Sequence, residues 1–292
     1  MKSSSPIDLE VKAWCAAHGH QGAPEALMVE KCAELTEFAP GIPADLEVLA
    51  SVQGVQRPVE IVDMIEAGCT YVDGDHFRIR LRASDSPERQ RFTLGHEISH
   101  TFFECTRLHG VVDTEVGRPG QKDQLERLCD LGAAELLFPS ELFRSSCPAR
   151  PDFDDVTRLG NEFNASLEAT ASRIVGLGIG PEQLVRLEPK ITAEQTRSLR
   201  RAEFSPSFAG MQAPTPQPKL RVCWTTGGDR YLPKNKSVDE GTALSACIRN
   251  GDVDAVENPG ITNGRVVRVV ARHLPYWQDG RKIDRVLAFL YK

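Results

Sequence analysis

Phe92-Thr93-Leu94-Gly95-His96-Glu97-Ile98-Ser99-His100 is the stretch on which the reading of this chain turns. On an α-helix, residues four apart lie one turn above one another. The imidazoles of His96 and His100 therefore project from one face, at a separation that lets both bind a single zinc ion. Glu97 flanks that face, where its carboxylate reaches a water at the metal without ligating the metal itself. It can take that water's proton as the water attacks a peptide carbonyl. Phe92, Leu94, Ile98, Phe102 and Phe103 supply apolar contacts that bury one side of the helix and leave the histidines on a cleft. Just upstream, Ser84-Asp85-Ser86-Pro87-Glu88 has the chemistry of a helix start: Ser86 caps, Pro87 suits the first helical position, and Glu88 favours the positive end of the dipole. The predicted helix runs from Pro87 to about Cys105.

A catalytic zinc needs a third protein ligand and an open position. No third histidine follows at the spacing of the extended motif, because Thr106 stands six residues after His100, and His109, three further on, reads as a surface residue. A second helix is predicted from Lys122 to Leu137, with Leu125, Leu128, Cys129, Gly132 and Leu136 on one face and Pro139 near its stop. Glu126 and Asp130 share a face of that helix. One could ligate while the other holds a ligating histidine by its second ring nitrogen, and spacing alone does not choose between them. Glu135, one turn beyond Asp130, is expected to be exposed, and Glu115 or Asp123 would need an unusual loop. Tyr71, Arg89 and His109 are weak candidates for stabilising an oxyanion beside the metal.

Outward from this centre the pattern changes in both directions. Before it, the chain is mostly helical in pattern until Cys69-Thr70-Tyr71-Val72-Asp73-Gly74-Asp75-His76-Phe77-Arg78-Ile79-Arg80-Leu81, two alternating runs around an Asp-Gly turn that predict a β-hairpin. After it, helices are predicted at about Asp155–Phe163 and Ser166–Gly176, joined by Asn164-Ala165, with another across Thr192–Glu203. That spacing is helix-turn-helix-like. The four prolines within residues 205–218 favour extended chain and mark an interdomain linker. Beyond it, Leu220–Trp224, Val266–Ala271 and Val286–Leu290 read as strands, and Gly241–Asn250 as a helix stopped by Gly251. The expected organisation is a metallopeptidase domain over 1–148, a helical, helix-turn-helix-like domain over 149–204, the linker 205–218, and an α+β module over 219–292.

At 292 residues, with 40% hydrophobic and 26% charged side chains, the chain has the composition of an ordinary globular protein of two domains or so. No run approaches the roughly 18 consecutive apolar residues of a membrane-spanning helix, and Met1-Lys2-Ser3-Ser4-Ser5-Pro6 opens no signal core. The eight cysteines form no CxxC pair, which suits reduced thiols. The expectation is a cytoplasmic protein with no membrane partner. Its charge of −6 is uneven: residues 219–292 hold 13 basic and 8 acidic side chains, and residues 1–218 hold 22 and 33. An acidic catalytic part could steer a basic protein substrate and would repel a nucleic-acid backbone. Residues 151–200 hold six basic and eight acidic side chains, so DNA contact is expected to be weak at most.

Arg89-Gln90-Arg91-Phe92-Thr93-Leu94-Gly95-His96-Glu97-Ile98-Ser99-His100, followed by Glu126-Arg127-Leu128-Cys129-Asp130-Leu131-Gly132-Ala133-Ala134-Glu135-Leu136-Leu137-Phe138-Pro139, resembles the ImmA/IrrE family of metallopeptidases in both motifs, their order and their spacing. The resemblance implies that His96, His100 and Glu126 ligate the metal, that Glu97 is the general base, and that Asp130 is the residue behind a ligand. Many members have Ala-Asn where this chain has Cys129-Asp130. The implied fold is α+β: a mostly helical, zincin-like metallopeptidase domain with a small β-sheet, helix-turn-helix-like helices, and a C-terminal GAF-like sensor domain able to take a small-molecule or other signal ligand. The implied activity is that of the IrrE branch of radiation-response proteases, which cut a helix-turn-helix repressor of the XRE type and release stress or DNA-damage genes. The implied cofactor is Zn²⁺, with Mn²⁺ or Fe²⁺ also able to occupy a His₂Glu site. The alternative is a DNA-binding transcriptional regulator whose metal site is structural or degenerate.

Overall fold

The computed structural model of the chain describes residues 6–20, 22–103, 124–197, 217–278 and 280–292. The chain divides into two compact units, residues 1–146 with 157–173, and residues 147–156 with 174–292.

The first unit opens with three helices, α1 (Pro6–Ala17), α2 (Pro24–Thr36) and α3 (Leu46–Val52). A three-stranded sheet follows, from β1 (Glu60–Val62), β2 (Gly68–Asp73) and β3 (His76–Arg82), in the order β1-β3-β2. β2 and β3 form the predicted antiparallel hairpin, closed at Gly74, whose φ of +63° suits a residue without a Cβ. β1 pairs parallel to β3 and escaped the sequence reading because three residues carry no periodic signal.

Next come α4 (Pro87–His100), α5 (Gln124–Leu137) and α6 (Ser140–Ser146). α4 starts where its sequence says it should: the Ser86 hydroxyl accepts from the Arg89 N–H at 3.3 Å, with Pro87 and Glu88 in the first turn. It stops at His100, short of the predicted end. Thr101 is its C-cap, with its hydroxyl donating to the Ile98 carbonyl at 2.6 Å, and Cys105 lies outside the described residues. Along α5, Leu125, Leu128, Cys129, Gly132 and Leu136 are all buried, as the helical period predicts.

α4 and α5 cross at small residues. A Cβ built on Gly132 would lie 2.2 Å from the Ser99 hydroxyl, and one on Gly95 would lie 3.2 Å from the Ala133 Cα. A side chain at Gly132 would force Ser99 and Met28 aside, one at Gly95 would need its neighbours to give by a few tenths of an ångström, and the approach sets where the polar faces of the two helices meet. Glu135 corrects the sequence reading. It is buried, not exposed: its carboxylate meets the Arg173 guanidinium at 2.7 Å and accepts from the Ser140 hydroxyl at 2.9 Å. A charge in the interior persists only when it is paired, and the partner lies 38 residues away in sequence, beyond any local pattern.

The predicted helix pair is present as α7 (Phe153–Glu162) and α8 (Leu167–Gly176), with the turn passing through Asn164 at φ +51°. Gly160 lets the turn close: a Cβ there would sit 3.1 Å from the Ala165 carbonyl oxygen. The division between the two units passes within both helices.

The second unit is built on a five-stranded antiparallel sheet of β4 (Gln183–Lys190), β5 (Lys219–Gly227), β6 (Val253–Glu257), β7 (Val267–His273) and β10 (Val286–Tyr291), in the order β5-β4-β10-β7-β6. The short hairpin β8 (Tyr276–Gln278) and β9 (Arg281–Ile283) stands apart from it. Helix α9 (Ala243–Asn250) runs from its Thr242 cap to Gly251, whose φ is +87°. Leu244 and Cys247 of α9 pack with Val185, Leu187, Val222, Val269, Val286 and Ala288 on one face of the sheet. On the other face Phe153 stacks on Phe289, with ring centroids 4.9 Å apart, and the Tyr291 hydroxyl donates to the Pro151 carbonyl. β10 is consequently buried at all six positions.

All three strands and the helix predicted after the linker are present. β4 differs from expectation: residues 183–190, within the stretch 149–204 read as helical, form a strand between β5 and β10. A strand buried on both faces lacks the clean alternation that identifies it locally, and its two partners come from the far side of the expected linker. The sheet therefore begins well before residue 219. Of the helix expected over Thr192–Glu203, residues 193–197 are helical, with Thr192 and Gln195 in a reciprocal capping box. Residues 198–216, with most of the expected linker, lie outside the described residues, as do His109 and Glu115. The seven described cysteines are free thiols, and among the described residues no helix is long and apolar enough to cross a membrane.

Candidate metal centre

The helical period of α4 puts His96 and His100 on one face, and the glycine-mediated crossing brings Glu126 of α5 over them. His96 Nε2 and His100 Nε2 are 3.2 Å apart. Each is 3.4 Å from a different oxygen of the Glu126 carboxylate. One donor atom from each of the three residues lies within 4.8 Å of the others. Donors about 2.0–2.1 Å from one ion at the corners of a tetrahedron are roughly 3.4 Å apart. The observed separations match that spacing. Two imidazoles and one carboxylate are also the donor chemistry of a catalytic zinc site that keeps a position open. The residues present fit the metal.

Asp130, one turn along α5 from Glu126, accepts a hydrogen bond from His96 Nδ1 at 3.1 Å. A carboxylate only accepts, so Nδ1 carries a proton, and in the neutral imidazole this leaves the Nε2 lone pair toward the cluster. The local field favours positive charge at this point. Burial opposes protonation of His96, but the hydrogen bonds to Asp130 and Glu126, with the charge of Glu97, outweigh it and push its pKa up to about 9. Burial likewise opposes ionisation of Glu126, but the hydrogen bonds and charges of His100 and His96 hold its carboxyl well below the usual carboxylate range.

Glu97 projects from the same helix but joins a different partner. Its carboxylate is buried against β2, where the Thr70 hydroxyl donates to Oε2 at 2.7 Å. Sequence reasoning passed over Thr70. The available signal was the hairpin's period of two, which puts Gly68 and Thr70 on one face of β2. Of the oxyanion candidates, Tyr71 lies under the Arg80 guanidinium, 4.7 Å from its ring centroid, and Arg89 lies over Phe92 at 5.9 Å.

Residues 63–175 match the Peptidase_M78 family profile, the IrrE N-terminal-like domain. Over 72 residues the chain is 42% identical to the radiation response metalloprotease IrrE of Deinococcus deserti, a stretch that spans 24% of this chain and 25% of that relative. Among solved structures, the chain is similar to a Mycobacterium tuberculosis transcriptional regulator with a TM-score of 0.51 and 12% identity, covering 96% of this chain and 80% of that one. At that identity the likeness is one of fold alone. Both helices that carry the histidines and carboxylates fall inside the stretch that matches the IrrE N-terminal-like family profile.

Proposed function

We propose that this protein is a zinc-dependent, site-specific endopeptidase that cleaves a helix-turn-helix repressor of the XRE type and thereby induces a stress or DNA-damage response. The observation that carries the reading is the convergence of His96, His100 and Glu126 on one point, beside a glutamate that none of them engages as a ligand would. The donor set suits Zn²⁺, and Mn²⁺ or Fe²⁺ could also occupy it.

When bound, the metal supplies Lewis-acid polarisation of the scissile carbonyl and lowers the pKa of water at the site. The chain's own groups do the rest. His96, His100 and Glu126 hold the metal, with Asp130 keeping His96 in the tautomer that ligates through Nε2. Glu97 takes the proton from the attacking water and returns it to the leaving amine. The match to the metalloprotease of Deinococcus deserti supports a protein substrate and a regulatory setting, and the acidic composition of residues 1–218 supports attraction of a basic repressor. The five-stranded sheet with α9 against it supports a GAF-like sensor role for the C-terminal part, with a small-molecule or other signal ligand.

The test is incubation of the purified chain with helix-turn-helix repressors encoded beside its gene, with and without a chelator, followed by mass measurement of fragments. Zinc-dependent cutting at one bond is expected. The variant Glu97→Gln should keep its fold and metal content and lose about 10²- to 10⁴-fold in cleavage rate; cleavage equal to that of the parent chain would overturn the mechanism. A second reading, a DNA-binding regulator with a structural metal, draws on the presence of α7 and α8 as a helix pair around a tight turn. A salt-dependent shift of duplex DNA by the purified chain would favour it, whereas the acidic balance of residues 151–200 counts against it.

A further inference from the structure

Glu97 is held from outside its own helix. Thr70 is 3% exposed, and its hydroxyl lies 2.7 Å from Glu97 Oε2 and 3.2 Å from the Glu97 backbone oxygen. A hydroxyl has one proton, and the shorter, charge-assisted contact to the carboxylate is the stronger of the two. Two residues earlier on the same face, Gly68 has no side chain. A Cβ there would lie 2.9 Å from Glu97 Oε1 and 2.4 Å from Thr93 Cγ2. The two positions of β2 therefore act on the two oxygens separately: Thr70 engages Oε2, and the bare backbone at Gly68 leaves space beside Oε1.

We propose that Thr70 is a positioning residue for the catalytic carboxylate, its hydroxyl fixing the Glu97 rotamer so that Oε1 is the oxygen left to accept the proton. This rests on the protease reading. A glutamate side chain has three rotatable bonds, and one strong hydrogen bond in a buried setting selects among its rotamers more sharply than packing of methylenes does. Because Thr70 sits on the strand that lines α4 and touches none of the three metal donors, its effect should appear in turnover and not in metal binding or substrate binding.

The experiment compares Thr70→Val, which keeps the shape and removes the hydroxyl, with Thr70→Ser, which keeps the hydroxyl. Kinetics on the cleaved repressor and crystal structures of the zinc-loaded variants form its two arms. Expected are a fall in kcat of about ten- to a hundred-fold for Thr70→Val with KM and zinc stoichiometry unchanged, substantial recovery in Thr70→Ser, and a Glu97 carboxylate turned to another rotamer only in Thr70→Val. Equal loss in both variants, an unchanged kcat in Thr70→Val, or an unmoved Glu97 carboxylate would overturn the proposal. The structural arm reads the carboxylate without activity. If the parent chain and Glu97→Gln are equally inert on every repressor, the protease reading has failed, while the rotamer comparison still decides whether Thr70 orients Glu97.

Discussion

Glu126 and Glu135 sit nine residues apart on the same helix, and their surroundings separate a carboxylate that faces two imidazoles from one already paired with a fixed cation. Glu135 is enclosed with its own counter-ion: Arg173 at 2.7 Å, both side chains 6% exposed, with Ser140 and the Phe138 carbonyl using further donors. Glu126 is 18% exposed and faces two imidazoles at 3.4 Å, with no arginine or lysine paired to it in that contact. Opposite charge is built in at the first position. At the second, the carboxylates raise the affinity for positive charge and the histidines leave lone pairs toward a common point, which is the arrangement of a binding site and not of a structural lock.

Removing one partner from each cluster breaks the comparison most forcefully. Arg173→Ala would leave Glu135 buried and unpaired, and should lower stability by about 3–5 kcal/mol in chemical denaturation, with no change in the number of metal ions bound. A variant that retained parental stability would show that the pair is not the lock described.

Metal addition should do the reverse. Zinc should raise stability by about 2.7 kcal/mol at a free concentration one hundred times its dissociation constant, measured by thermal unfolding. Glu126→Ala should abolish that shift. An equal shift in the variant would remove Glu126 from the ligand set.

Asp130→Ala sharpens the picture by acting one bond further out. It should weaken zinc affinity by about ten- to a hundred-fold in competition titration while stoichiometry stays at one, because His96 loses the acceptor that fixes its tautomer. Unaltered affinity would reduce Asp130 to a surface carboxylate.

The smallest effect concerns the scaffold alone. Ser86→Ala removes the cap of α4 and should cost about 1 kcal/mol of stability, with metal affinity and cleavage at saturation unchanged.

How much of this was legible depended on the range of the signal. α4 and α5 were readable because capping, proline at the first turn and a 3.6-residue period are local, and the hairpin because its alternation and turn are contiguous. Spacing left Glu126 and Asp130 as equals. The crossing at Gly95 and Gly132 turns Glu126 to both imidazoles and leaves Asp130 on His96 Nδ1. Thr70 was in plain view within the hairpin and silent, since nothing in a strand names the helix that packs on it. Glu135 was misread because its partner lies in α8. β4 was misread because its partners lie beyond the expected linker, and burial on both faces erased its alternation.

The amino-acid sequence by itself determined the chemistry available to this protein: two histidines a turn apart, a glutamate beside them, and a pair of carboxylates on a second helix, all set by local spacing that any α-helix must obey. Only the tertiary structure decided which carboxylate faces both imidazoles, which one accepts from His96 Nδ1, which one is locked away with an arginine, and that a threonine from the sheet hydrogen-bonds Glu97. Those outcomes depend on how closely two helices and a strand approach, a distance governed by side-chain volume at the crossing and by contacts between residues far apart in the chain.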